Sequence, residues 1–180
     1  MNGLAIIPEC YVDTCLVETI TGCYNQFNHQ KGCGNVSRLM QGKLNDSFAL
    51  GIIDKDKQEV PYIKEFYLLS SRESLFLYKH KIRHHYMIQI QPAVESFILK
   101  AVNEVGVSLT AYELPTDLKG LIKVTKQVSG NNEVDFKRLK CLFNDLSNVS
   151  EIRRLAELIQ YMKEYTYKAK VEELEKTLNS

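Results

Sequence analysis

The chain lacks a dominant charge. Its 23 Lys and Arg against 22 Asp and Glu leave a formal net charge of +1 over 180 residues. This excludes a basic coat for nucleic acid and leaves only local patches. It also lacks any apolar run near the ~20 residues a membrane helix needs. The first eight residues have no basic start and too short an apolar stretch for a signal peptide. The expectation is no membrane and a cytoplasmic location. The five cysteines are odd in number and read as reduced thiols rather than a disulfide framework. Cys23, His29 and Cys33 lie close in sequence but match no zinc spacing. There is no Walker A sequence, no Gly-x-Gly-x-x-Gly and no Gly-x-Ser-x-Gly elbow, so the usual phosphate-loop, dinucleotide and hydrolase signatures are missing. Internal repeats, low-complexity tracts and long linkers are absent too.

What is there is a globular composition, 44% hydrophobic and 25% charged, in a chain long enough to build a core without staples. The run 4–8 (LAIIP) predicts a strand buried on both faces. Val12, Cys15, Leu16 and Thr19 repeat at helical spacing, and Gly22 stops that helix. A weak strand at 23–28, a two-glycine loop at 32–35 and a helix at 36–43 follow. Residues 47–53 (SFALGII) form the strongest strand. Strand, helix, strand, helix, strand predicts a parallel sheet covered by helices. Two more strands are expected at 75–78 and 86–91. Pro92 opens a helix with a buried stripe that ends at Gly106. The rest reads as helical: a helix at 135–146, a capping box of Asn148 with Glu151, and a stripe of Ile152, Leu155, Ile159 and Met162. Ser129, Gly130, Asn131 and Asn132 make the best loop in this half. The expected fold class is therefore α/β, with an α/β domain over 1–105 and a helical extension over 106–180 packed on it.

The chemistry-bearing residues are acids. Glu9, Asp54 and Asp56 each lie just past the end of an expected parallel strand. Ligands of open α/β sheets bind at that edge, where loops diverge and helix N-termini face the crevice. Carboxylates gathered there need a proton, a basic neighbour or a cation. An all-oxygen set suits Mg²⁺ or Mn²⁺, which would polarise a phosphodiester or orient a hydroxide. Asp54 and Asp56 flank one residue and point the same way on an extended chain. Glu95, in the first turn after the strand at 86–91, is a further metal-ligand candidate; there it also complements a helix dipole. Asp13 reads as a helix-start acid.

The runs IIPECYVD at 6–13 and GIIDKD at 51–56, with the glycine loop 32–35 between them, resemble the Toprim fold of topoisomerases, bacterial primases, OLD-family nucleases and recombination proteins. The resemblance covers about residues 4–57 and extends toward 105. It implies a parallel sheet flanked by helices, acid–base or metal-ligand work for Glu9, and Mg²⁺ binding by Asp54 and Asp56. It implies a small nuclease acting on DNA or RNA, of the kind found in phage-defence or toxin-like systems. Where the family has Gly after the Glu, this chain has Cys10.

Lys79, Lys81, Arg83 and His84 form a basic stretch between Tyr78 and Tyr86. It is a candidate nucleic-acid contact, with fixed charges for phosphates and rings for bases; a polar hairpin tip is the plain alternative. Two other readings stand beside the nuclease. One is a phosphatase like the haloacid dehalogenases, which also place Asp-x-Asp after a hydrophobic strand. The other is a catalytically inactive Toprim-like module that pairs with a partner or a second copy through the helix bearing Ile152–Met162.

Overall fold

The computed structural model describes residues 5–55, 60–128 and 133–180. Asp56 and the expected loop 129–132 lie outside the described residues. In chain order the elements are β1 (Ile6–Pro8), α1 (Tyr11–Thr21), α2 (Cys33–Gln41), β2 (Ala49–Asp54), β3 (Phe66–Arg72), β4 (Leu75–His80) and β5 (His85–Ile90). Then come α3 (Val94–Val105), α4 (Leu118–Gln127), α5 (Glu133–Asp145), α6 (Ser150–Tyr165) and α7 (Val171–Asn179).

The class is α/β, an open sheet flanked by helices, but the sheet is mixed rather than parallel. Its order is β1-β2-β5-β4-β3. β1, β2 and β5 run parallel; β4 runs antiparallel to β5, and the edge strand β3 runs antiparallel to β4 and so in the direction of β5. The parallel strands end in register, with Pro8 opposite Ile52 and Asp54 opposite Ile90. The weak strand expected at 23–28 does not form. The N–H groups of Asn28 and Gln30 instead donate to Ile6 O (2.9 Å) and Pro8 O (3.1 Å). An irregular run thus covers the β1 edge that an intervening strand would have occupied. Asp54 accordingly ends the second strand, not the third.

Alternation along the strands sorts two packing layers. Ile6, Leu50, Ile52, Ile88 and Ile90 face one side, in a core shared with α1, α3, α5, α6 and α7. Ile7, Ala49, Ile53 and Met87 face the other, against Val36 and Met40 of α2 and against Tyr62. Gly51 lets α2 come close. A Cβ built there would lie 2.6 Å from Met87 Sδ and 3.0 Å from Val36 Cγ1.

α1 starts on a capping box. The Asp13 N–H donates to Cys10 Sγ (3.4 Å) and the Cys10 N–H donates to Asp13 Oδ2 (3.1 Å). It ends at Gly22, which takes the left-handed conformation at φ 67°. The expected box at Asn148 is absent, since α6 has Val149 at its N-cap. Glu151 is buried and used elsewhere: it accepts the Ser74 N–H and the Lys100 ammonium (2.9 Å). Ile152, Leu155, Ile159 and Met162 are fully buried in the chain's own core, so this stripe offers no surface to a partner helix or a second copy. Among the described residues no helix is long and apolar enough to cross a membrane.

The tight α2–β2 approach predicts that Gly51→Val overpacks this layer. Stability in urea unfolding should drop by about 1–3 kcal/mol, with the unfolding slope unchanged.

Candidate acidic site and its cavity

Glu9 follows β1 directly and is tied to β2 twice. Its N–H donates to Ile52 O (2.9 Å), and its Oε2 accepts the Asp54 N–H (3.0 Å). Its carbonyl accepts the Gly32 N–H (3.0 Å), which draws the loop at the start of α2 to the same rim. Asp54 shares the face of Leu50 and Ile52, toward α1 and α3. Its Oδ1 accepts the Val94 N–H at the start of α3 (2.9 Å). The structure therefore gathers Glu9, loop 32–35 and Asp54. Asp56 lies outside the described residues.

Two more carboxylates join them. Asp13 is only 1% exposed; its Oδ2 takes the Cys10 N–H, and its Oδ1 is buried without a hydrogen-bond partner. Glu95, from the first turn of α3, accepts the Thr125 hydroxyl of α4 (2.6 Å). Burial drives the Asp54 carboxyl up to about 9, with the charges of Asp13, Glu9 and Glu95 adding to the rise and the Val94 N–H opposing it. Burial likewise drives Asp13 up to about 7, opposed by its bonds to Cys10 and assisted by Glu9 and Glu95. Asp54 and Asp13 influence one another, and at neutral pH the raised Asp54 carboxyl retains its proton.

A cavity of about 410 Å³ opens beside them, lined in part by Asp54, Glu95, His29, Lys31 and Lys126. Burial and the nearby Lys31 lower the His29 imidazole below its usual range, partly offset by Cys10, so it is neutral at pH 7. Cys10 is half-buried at the N-cap of α1, where burial and Asp13 keep its thiol strongly protonated. It acts as a cap and not as a nucleophile.

An all-oxygen, acid-rich donor set with an orphaned buried carboxylate oxygen fits a hard divalent cation. Glu9 and Asp54, with Asp13 and Glu95 around them, are the described residues suited to hold one. Among the described residues no three His, Cys, Asp or Glu side chains are already arranged about a single ion. In this state several of these oxygens are instead taken by N–H groups and the Thr125 hydroxyl.

The basic stretch lies elsewhere. Lys79 and His80 end β4, and residues 81–84 turn into β5 at the end opposite Asp54, a strand length or about 20 Å away. Its side chains are largely occupied locally. His80 Nδ1 accepts the N–H groups of Ile82 and Arg83 (both 3.0 Å), and its Nε2–H meets Glu65 (3.0 Å). Arg83 donates to the Tyr62 hydroxyl (3.3 Å), Lys81 donates to Lys64 O (3.2 Å) and Lys79 lies over the Tyr86 ring. His84 is exposed and meets Tyr167 edge-on. These groups do not share the rim of Glu9 and Asp54.

Sequence reasoning missed Asp13 as a site residue, and with it Lys31, Thr125 and Lys126. Asp13 had a signal, because it lies four residues after Glu9, in the first turn of α1. Lys31 adjoins the glycine loop. Thr125 and Lys126 carried none.

The raised acids predict a pH effect. From about pH 4, where an unfolded carboxyl loses its proton, up to about 9 for Asp54, the folded chain binds more protons than the unfolded one. Their contribution to stability therefore falls as pH rises across that window. With a chelator present, the melting temperature of wild type relative to Asp54→Asn should fall by several degrees from about pH 5 to about pH 8.5. The variant keeps the oxygen that accepts the Val94 N–H. A constant gap would show that Asp54 is not protonated in the fold. In the comparisons with known proteins, this chain matches no family model, no curated protein and no solved structure.

Proposed function

We propose that the chain is a Toprim-like, Mg²⁺- or Mn²⁺-dependent nuclease acting on phosphodiesters of nucleic acid, with Glu9 and Asp54 at its centre. The observation that carries this reading is the convergence of Glu9, Asp13, Asp54 and Glu95 at the ends of two parallel strands, beside an open cavity and with no arginine among the groups that shift Asp54 or Asp13. Four acids in one place are self-repelling, and the raised Asp54 and Asp13 carboxyls ease that repulsion by holding protons. Glu9 follows the first strand, as the Toprim resemblance implies; Asp54 ends the second strand, whereas the resemblance implies an Asp-x-Asp after the third, and Asp56 is the second acid of that motif.

A bound Mg²⁺ or Mn²⁺ would supply charge to polarise the phosphodiester and to orient attacking water. Glu9, anchored at both its backbone and its carboxylate, holds the geometry of the rim and would accept a proton from that water. Asp54 and Asp13 must lose their protons to serve as ligands, so metal binding releases protons. Lys31 and Lys126, on the cavity wall, would hold substrate phosphate. The basic turn 81–84, a strand length away, has no part in the reaction. The phosphatase reading lacks support in the topology, because Asp54 ends the second strand and not the first.

Mixed DNA and RNA substrates should be cut only with Mg²⁺ or Mn²⁺. Both Asp54→Asn and Glu9→Gln should lower the rate at least about 100-fold while the circular dichroism stays that of wild type. Metal affinity, read by calorimetry, should rise from about pH 6 to about pH 8.5, with proton release. Turnover of a phosphomonoester with no cutting of nucleic acid, or undiminished cutting by both variants, would refute the proposal.

A further inference from the structure

Apart from its acids, the cavity has a wall of another kind. Tyr11, the first residue of α1, and His29, on the run along the β1 edge, both line it. Their rings stack with centroids 3.9 Å apart and planes 27° apart. The stack is braced by Thr14. Its hydroxyl donates to Cys10 O (2.8 Å), so its oxygen receives the His29 Nδ1–H (3.2 Å), and the lone pair falls on Nε2. That Nε2 is buried with no hydrogen-bond partner. The stacked ring pair itself gives the cavity a flat aromatic wall, which suits a planar ligand.

The rest of the lining fits the same kind of ligand. Val94 and Val128 are apolar, and Lys31 and Lys126 bring ammonium groups. A volume of about 410 Å³ is at the small end of ligand pockets. It suits one nucleotide and is too small for a base pair with its neighbours. Aromatic faces with nearby cations bind single strands through stacking, tolerant of sequence because every base has a π face. A base in a duplex would have to leave its stack to enter.

Resting on the nuclease reading above, we propose that this cavity takes one unstacked nucleotide, its base against the Tyr11–His29 pair and its phosphate toward Lys31 and Lys126. The substrate is then a single strand or a frayed end rather than an intact duplex.

The test is binding by the full chain with Ca²⁺ in place of Mg²⁺, using a fluorescent oligothymidine strand and the same strand paired with its complement. The single strand should bind at least about 10-fold more tightly. Tyr11→Ala should weaken it about 10-fold, and Tyr11→Phe should keep it. On wild type, a nucleoside 5′-monophosphate should compete and ribose 5-phosphate should not. Equal or tighter duplex binding, an unaffected Tyr11→Ala variant, or equal competition by ribose 5-phosphate overturns the proposal. If Tyr11→Ala does not fold, the wild-type competition decides. The two readings fail separately. Tyr11-dependent strand binding without Mg²⁺-dependent cutting removes the nuclease and keeps the nucleotide pocket. Cutting that prefers duplex removes the pocket and keeps the nuclease.

Discussion

The bond from the Asp54 N–H to the Glu9 carboxylate holds the site together. It crosses from β1 to β2 at the point where the ladder ends, beside the backbone bond from Glu9 to Ile52. A strand end leaves an N–H that must find an acceptor. Here the acceptor is itself one of the site acids. The same contact that closes the sheet therefore fixes Glu9 against Asp54. The Val94 N–H, at the start of α3, then binds the Asp54 side chain, so a third segment is registered to the first two.

That arrangement concentrates negative charge in a partly buried place, which is costly for a fold of modest stability. The protein limits the cost by protonation and by donors from the backbone and Thr125. Asp13 is the extreme case, fully buried and with one oxygen left without a partner. A carboxyl in that position is poor packing material, and under the proposed function its free oxygen would serve a cation. The helices behind it supply rigidity. α5 and α6 pack with α1 in one continuous core that reaches from Ile6 to Leu178, so the start of α1, where Cys10, Tyr11 and Asp13 sit, is backed by buried side chains rather than by a loop.

The opposite end of the sheet shows how a functional pattern can be absorbed by folding. Three histidines and three cations within residues 79–85 form a dense basic signal in one dimension. In the fold, His80 and His85 are buried: one closes the turn and the other bonds to Leu44 O (2.9 Å) and to Tyr62. Arg83 and Glu65 complete the network. Much of the charge is spent on shaping a hairpin.

The sequence by itself determined the α/β class, the buried strand ending at Asp54, the helices that stop at Gly22 and Gly106, and the placement of Glu9 and Asp54 at strand ends. These follow from local periodicity and from turn residues, which act over a few positions. Only the tertiary structure decided that β4 runs against the other strands, that an irregular run replaces the middle strand, and that Asp13 is entombed beside Glu9. It alone brought Thr125 and Lys126 to a cavity whose other wall is Tyr11 and His29. The reason is physical: hydrophobic spacing reports which face of an element is buried, whereas the sharing of a cavity depends on chain reversals and on which buried faces meet. Neither leaves a mark in the pattern of any one segment.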